Sequence, residues 1–270
     1  MVPINTTDGT PQNTRVAGAL GAEDSSVRLQ AALAVGSTAD PDFLEPLVRR
    51  CAVETDFFVR DMLSWALTRL PSELTLPRIR RELASEHTQA RSQALHTLSK
   101  IGDRSAWAWI TRDMLQDPDD EVARTAWRVA VVLVPEDERA ELGDALVTQL
   151  GRGDRTVQLS LSRAFVDLGY VIEPALEKAA TDPDPAVATH AAATALLLRD
   201  PETGFDAAVH EAKRMATLGP EPAAALAATA AAAAASGDTE ASEAAGTTQA
   251  AAAATTGSTE PAEAVEAADC

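Results

Sequence analysis

The phrase Asp117–Val134, DPDDEVARTAWRVAVVLV, returns in altered form along most of the chain, and this recurrence limits the fold more than any other feature. Asp117-Pro118 stops one helix. Asp119 stands where it caps the next, because its carboxylate can accept the free N–H groups of a first turn. Val122, Ala126, Ala130 and Leu133 follow at i, i+4, i+8 and i+11, the apolar stripe of a helix. With Val122 as the marker, its equivalents are Val27, Val59, Ala90, Val157 and Val187, at intervals of 30 to 35 residues. Three residues before the six markers stand Asp24, Asp56, His87, Asp119, Asp154 and Asp184. A cap and a stripe that return six times at this period form an internal repeat.

Between these A-helices lie second apolar phrases, read as B-helices. They are Pro41–Val53, with Phe43, Leu47 and Cys51 inward; Ser72–Ser85, with Leu76, Ile79 and Leu83 inward; Asp103–Gln116 after the C-capping Gly102; Pro135–Leu150; Tyr170–Ala180; and Glu202–Thr217. No stretch sustains period-2 alternation, so no strand is expected. The predicted fold is all-α, an α-solenoid of about six antiparallel helix pairs whose stripes are buried only by stacking. The expected divisions are a disordered N-terminus at 1–14, the repeat domain at 15–219, and a disordered Ala/Glu-rich acidic tail at 220–270. Of the tail residues 221–270, only Leu226 and Val265 are larger aliphatics, too little apolar surface to offset ordering entropy.

The phrases DSSVRLQA at Asp24–Ala31, DFFVRDML at Asp56–Leu63 and DPDDEVARTA, with the Ile101-Gly102-Asp103 turn, resemble the short HEAT-like repeats of bacteria. Proteins of the phycobilisome lyase type carry repeats of this kind. The resemblance covers roughly residues 15–217. It implies an α-solenoid and, for most such arrays, a protein-binding scaffold, with occasional enzymes and nucleic-acid binders. The Arg after the marker is present as Arg28, Arg60 and Arg91, slips to Arg124, and is replaced by Gln158 and Ala188. An Asp–Arg ladder between repeats is therefore expected to break toward the C-terminal end.

Charge narrows the partner. The chain has 41 acidic and 23 basic residues, a formal −18. Residues 221–270 hold eight acids and no base, which leaves −10 on residues 1–220. Such a field repels phosphate backbones, so nucleic acid is not the expected partner. The first twenty residues lack the apolar core of a signal peptide, and no membrane-spanning run of about 18 apolar residues occurs. Cys51 and Cys270 make no disulfide framework, and a cytoplasmic setting is expected.

Catalytic groupings are not evident. His87, His96, His190 and His210 have no metal-ligand spacing, and Ser162 has no neighbour in sequence that would activate it. The Asp117–Glu121 run lacks the rest of a calcium loop. No metal, cofactor or catalytic residue is therefore expected. What stands out is on the B-helices: Arg49, Arg80, Arg81, Trp107, Trp109 and Arg112 form an expected basic and aromatic patch, and Arg and Trp are types enriched at interface hot spots. Glu138, on the fourth B-helix, is expected on the exposed side. The sequence predicts a monomeric, non-catalytic scaffold or adaptor that binds another protein, with an acidic segment as the ligand, along a concave B-helix surface. The alternatives are a lyase-type enzyme acting on a tetrapyrrole or similar ligand, and a nucleic-acid-binding HEAT-like protein.

Overall fold

A computed structural model describes residues 9–218, with side chains from 13 to 217. The helices in order are α1 (Gly9–Ala19), α2 (Ser25–Thr38), α3 (Leu44–Cys51), α4 (Phe57–Arg69), α5 (Ser72–Glu82), α6 (Thr88–Ile101), α7 (Arg112–Leu115), α8 (Asp120–Leu133), α9 (Arg139–Val147), α10 (Arg155–Leu168), α11 (Glu173–Ala179), α12 (Pro185–Arg199) and α13 (Phe205–Leu218). The chain divides into two compact units, Met1–Lys213 and Arg214–Cys270, and α1–α12 all lie in the first. Among the described residues there is no strand, and the fold is a stack of HEAT-like helix pairs. The expected tail, 220–270, lies outside the described residues, as do residues 1–8.

The A-helices α2, α4, α6, α8, α10 and α12 pack each against the next in an unbroken ladder. Their caps form as the sequence requires. The carboxylates of Asp24, Asp56, Asp119, Asp154 and Asp184 each accept first-turn backbone N–H groups, at 2.8–3.2 Å. His87 makes no such bond. The marker stripe is the core. Val59, Val122 and Val157 are buried, as are Leu63, Leu67, Ala126, Ala130, Leu161 and Phe165. The exceptions are Val27, 42% exposed, and Val187, half-buried, which lie on the first and last A-helices of the ladder, α2 and α12.

Three features depart from the sequence reading. A helix starts at Gly9, so residues 9–14, expected to be disordered, are helical; further along, Val16 of this helix and Leu20 just after it pack on the core. The third B-helix does not form as one element. Arg104–Trp109 is a 3-10 turn, Ile110 is extended, and only Arg112–Leu115 is α-helical. Trp127 gives the reason. It is fully buried and donates its indole N–H to Leu115 O at 2.8 Å. The equivalent positions of other A-helices hold Ala32, Ser64, Leu95, Ser162 and Ala192, so an indole here displaces the B element beside it. Finally, the arginines of the expected ladder also serve the loop before their own helix, which the sequence reading did not include. Arg28, Arg60 and Arg91 reach back to the carbonyls of Ala22 and Glu23, Glu54 and Thr55, and Ser85 and Glu86, which close the loop before their own helix. Gln158 takes this role in α10, donating to Gly151 and Gly153 carbonyls at 3.5 and 3.3 Å.

Two of these arginines also hold a carboxylate 26 residues on. Arg91 meets Asp117 at 3.1 Å, and Arg28 grips Glu54 through two bonds of 2.7 and 2.8 Å. Glu54 is fully buried and also accepts from Arg50 and from the Asp56 N–H. Burial alone would raise its pKa from the ordinary 4.5, but the hydrogen bonds of Arg28 and Arg50 outweigh this and hold it at about 2. A depressed carboxylate pKa stabilises the fold above the unfolded value and loses that contribution as pH falls. Stability should therefore drop as pH falls from about 4.5 toward about 2. In E54Q this part of the acid dependence should vanish, and the melting temperature at pH 7 should fall steeply, since two guanidiniums lose their buried partner. Melting followed by circular dichroism across pH checks both.

Close packing between A-helices shows at Gly36, where an added Cβ would stand 2.2 Å from the Trp65 ring. At Gly18, nothing lies within 4 Å of the same atom. We expect G36A to cost about 1–3 kcal/mol by overpacking, and G18A to be neutral or slightly stabilising. Denaturant melts of the two variants test the assigned stacking.

Candidate functional site

The A-helix layer carries a groove of about 440 Å³ across α4, α6 and α8. Each helix presents the flank beside its buried stripe. α4 supplies Phe57, Arg60 and Asp61; α6 supplies Gln89, Gln93 and His96; α8 supplies Glu121, Thr125 and Arg128. Phe57 and Phe58 are 65% and 70% exposed and meet edge to face, with ring centres 5.6 Å apart.

The polar groups of the groove divide by sign. Asp61 is held by Lys100 at 3.0 Å and lies 3.7 Å from His96. Asp119 caps α8, and Glu121 pairs with Arg124 at 3.1 Å. Arg60 donates to two loop carbonyls and leans over Phe57, 6.0 Å from the ring centre. Arg128 reaches only the Thr125 hydroxyl, at 3.4 Å. Among the described residues, neither arginine has a carboxylate within ion-pair distance. Arg128 is exposed as a residue, yet partial burial of its guanidinium lowers its pKa from 12.5. Burial likewise lowers His96 below 6.5, helped by Lys100 and Arg128 against the pull of Asp61, so the ring is neutral at pH 7.

The six residues expected from sequence do not share one groove. Arg80 and Trp109 are brought together, with the guanidinium 5.2 Å from the ring centre. Arg81 is exposed and stands 3.8 Å from Glu45, which also takes Arg78 at 2.7 Å. Glu45 is held below its ordinary 4.5 chiefly by Arg78, with Arg81 and Arg49 adding to the effect, and Arg49 also borders a hollow of about 230 Å³ with Arg50 and Val53. Trp107 and Arg112 border a third hollow of about 130 Å³. Trp107 is partly buried against the core and donates its indole N–H to Glu138 at 2.8 Å. Glu138 is therefore not the free surface acid that was expected. Removing either partner should destabilise the stack, and a double-mutant cycle of W107F and E138A should return a coupling of roughly 0.5–1.5 kcal/mol. Equal additive effects would deny the bond.

The structure also brings Ser162 within 3.1 Å of His190 Nε2, a pairing 28 residues apart that the sequence does not reveal. It does not make a nucleophile. Both side chains are almost fully buried. The Gly151 N–H points at Nδ1, 3.0 Å away, so Nδ1 accepts and the proton sits on Nε2, facing the Gln158 carbonyl at 3.1 Å. A nitrogen that already carries a proton cannot take one from Ser162. Burial pushes His190 down to about 4, which keeps it neutral. Ser162, Thr194 and His190 form a satisfied polar plug between α10 and α12. Cys51 is also buried, its thiol pushed up to about 12 by desolvation, which suits a packing residue. Among the described residues, no group of three or more His, Cys, Asp or Glu is placed to hold a metal ion, and no helix is long and apolar enough to cross a membrane.

No protein-family model matches the sequence, and no curated protein matches it. Among solved structures, the chain is similar to an engineered protein, at 20% identity over 68% of this chain and 95% of that one, with a TM-score of 0.39. It is also similar to the complex of CpcE and CpcF of phycocyanin lyase from Nostoc sp. PCC7120, at 18% identity over 72% of this chain and 80% of that one, with a TM-score of 0.40. At these levels of similarity the fold rests on the helix ladder itself.

Proposed function

We propose that this chain is a helical-repeat scaffold that holds a segment of another protein in the groove across α4, α6 and α8. The observation that carries this reading is the groove itself. It crosses three successive A-helices and combines an exposed ring, Phe57, with two arginines that lack a carboxylate partner. A rigid ladder of helices suits such a task, because the ligand-facing groups are fixed before binding and little ordering cost falls on the protein. The sequence placed the partner on the B layer instead. There Arg80 on Trp109, with Arg81 beside them, stays as the competing surface.

Selection of a displayed random peptide library on the full chain, followed by affinity measurements on the enriched peptides, tests the proposal. F57A should weaken them tenfold or more, about 1.4 kcal/mol, without changing the melting temperature, since the ring is mostly exposed. R80E/R81E should leave them within about twofold. The reverse pattern would move the interface to the B layer. No enriched peptide at all would overturn the scaffold reading.

A further inference from the structure

We infer that the occupant of the groove is an extended segment bearing two separated carboxylates, one received by Arg60 and the other by Arg128. This rests on the scaffold reading above and adds the chemistry of the partner. The argument is a balance of charge. Each carboxylate of the groove is already engaged: Asp61 by Lys100, Glu121 by Arg124, and Asp119 by the α8 backbone. The two arginines hold only neutral oxygens, those of Glu54, Thr55 and Thr125. The groove therefore offers two arginines without an ion-pair partner, against one carboxylate, Asp119, whose oxygen is taken up by backbone N–H groups. A planar guanidinium short of an acceptor is best completed by a carboxylate, to which it can donate two parallel bonds. Arg128 has most to gain, because its charge is already disfavoured by partial burial.

The spacing follows from the ladder. Neighbouring helices pack about 8–10 Å apart, so α4 and α8, two steps apart, are separated by about 16–20 Å. An extended chain advances about 3.3 Å per residue, so the two carboxylates stand about five or six residues apart. The stretch between them runs over α6. Gln89 and Gln93 commit their amide nitrogens to the Glu54 carbonyl and Ser64 and leave oxygens as acceptors for a passing backbone. The surrounding protein limits the number of acids. Residues 1–220 carry −10, a field that repels a polyacidic run, so two spaced acids are favoured over a cluster.

The experiment uses the full chain and fluorescein-labelled peptides read by anisotropy. The probe is a decapeptide with one Phe and two Glu, five residues apart, in a Ser/Ala background. Controls replace both Glu with Gln, or place them two residues apart. The spaced Glu peptide should bind at least tenfold more tightly than either control. R128Q should remove most of that advantage, and R128E should bind a peptide with Arg in place of one Glu better than the original probe. Such a swap cannot come from misfolding. F57A should weaken the Glu and Gln peptides by the same factor. Equal binding of Glu and Gln peptides, both lost in F57A, would overturn the acidic partner and leave the groove reading intact. Binding of all probes unchanged by F57A and R128Q alike would overturn both. Preference for the closely spaced Glu pair would overturn the two-arginine arrangement.

Discussion

An isolated A-helix of this chain has an apolar stripe that it cannot bury, and everything else depends on that constraint. Val122, Ala126, Ala130 and Leu133 are completely shielded because α6 and α10 flank α8, with α7, the 104–109 turn and α9 packed on it as well. Small residues let the helices come close, and Gly36 shows the limit, where the Trp65 ring occupies the place of a side chain. The two markers that are not buried, Val27 and Val187, lie at the ends of the ladder. Order is therefore set by neighbours: each repeat completes the core of the one before it.

The ladder also needs its connecting loops held, and the chain uses charge for this. Arg28, Arg60 and Arg91 bind the carbonyls of the loops before their helices, and Glu54 ties two arginines at one buried point. The later repeats lose the arginine in register but not the function. Gln158 closes its loop with an amide, and Arg152 reaches back to the Asp117 carbonyl and to Asp120. In the final junction a neutral histidine, His190, takes the Gly151 N–H. The closing of loop carbonyls thus continues as far as α10 with different side chains, and at the last junction the contact reverses, with a side chain accepting a backbone N–H.

Groove and core occupy adjoining rows of the same helices. On α4, α6 and α8 the residues one step round from the buried stripe are Arg60, Gln93 and Thr125, and next to them lie Asp61, His96 and Arg128. Rigid spacing of the core thus fixes the spacing of the groove. The B elements offer less of this. They are short, the third is split by the bulk of Trp127, and the residues expected to act together there fall beside separate hollows.

The sequence alone determined what is local or periodic. Five aspartate caps, the helical stripe, the absence of alternation and the inward Cys51 could be read because each follows from spacing within one or two turns. Repetition six times multiplied the signal. Only the tertiary structure decided which polar faces are solvated and which are shared. Phe57, Arg60, His96 and Arg128 lie on three helices, so in sequence each reads as an ordinary surface residue. Trp107 meets Glu138 across 31 positions and Ser162 meets His190 across 28, pairings that no local pattern encodes. The break in the third B-helix has the same origin, since Trp127 acts on Leu115 through space. Caps and stripes follow from a helix and its nearest residues. A groove is a property of several helices at once, and its residues acquire a common role only after packing has brought them together.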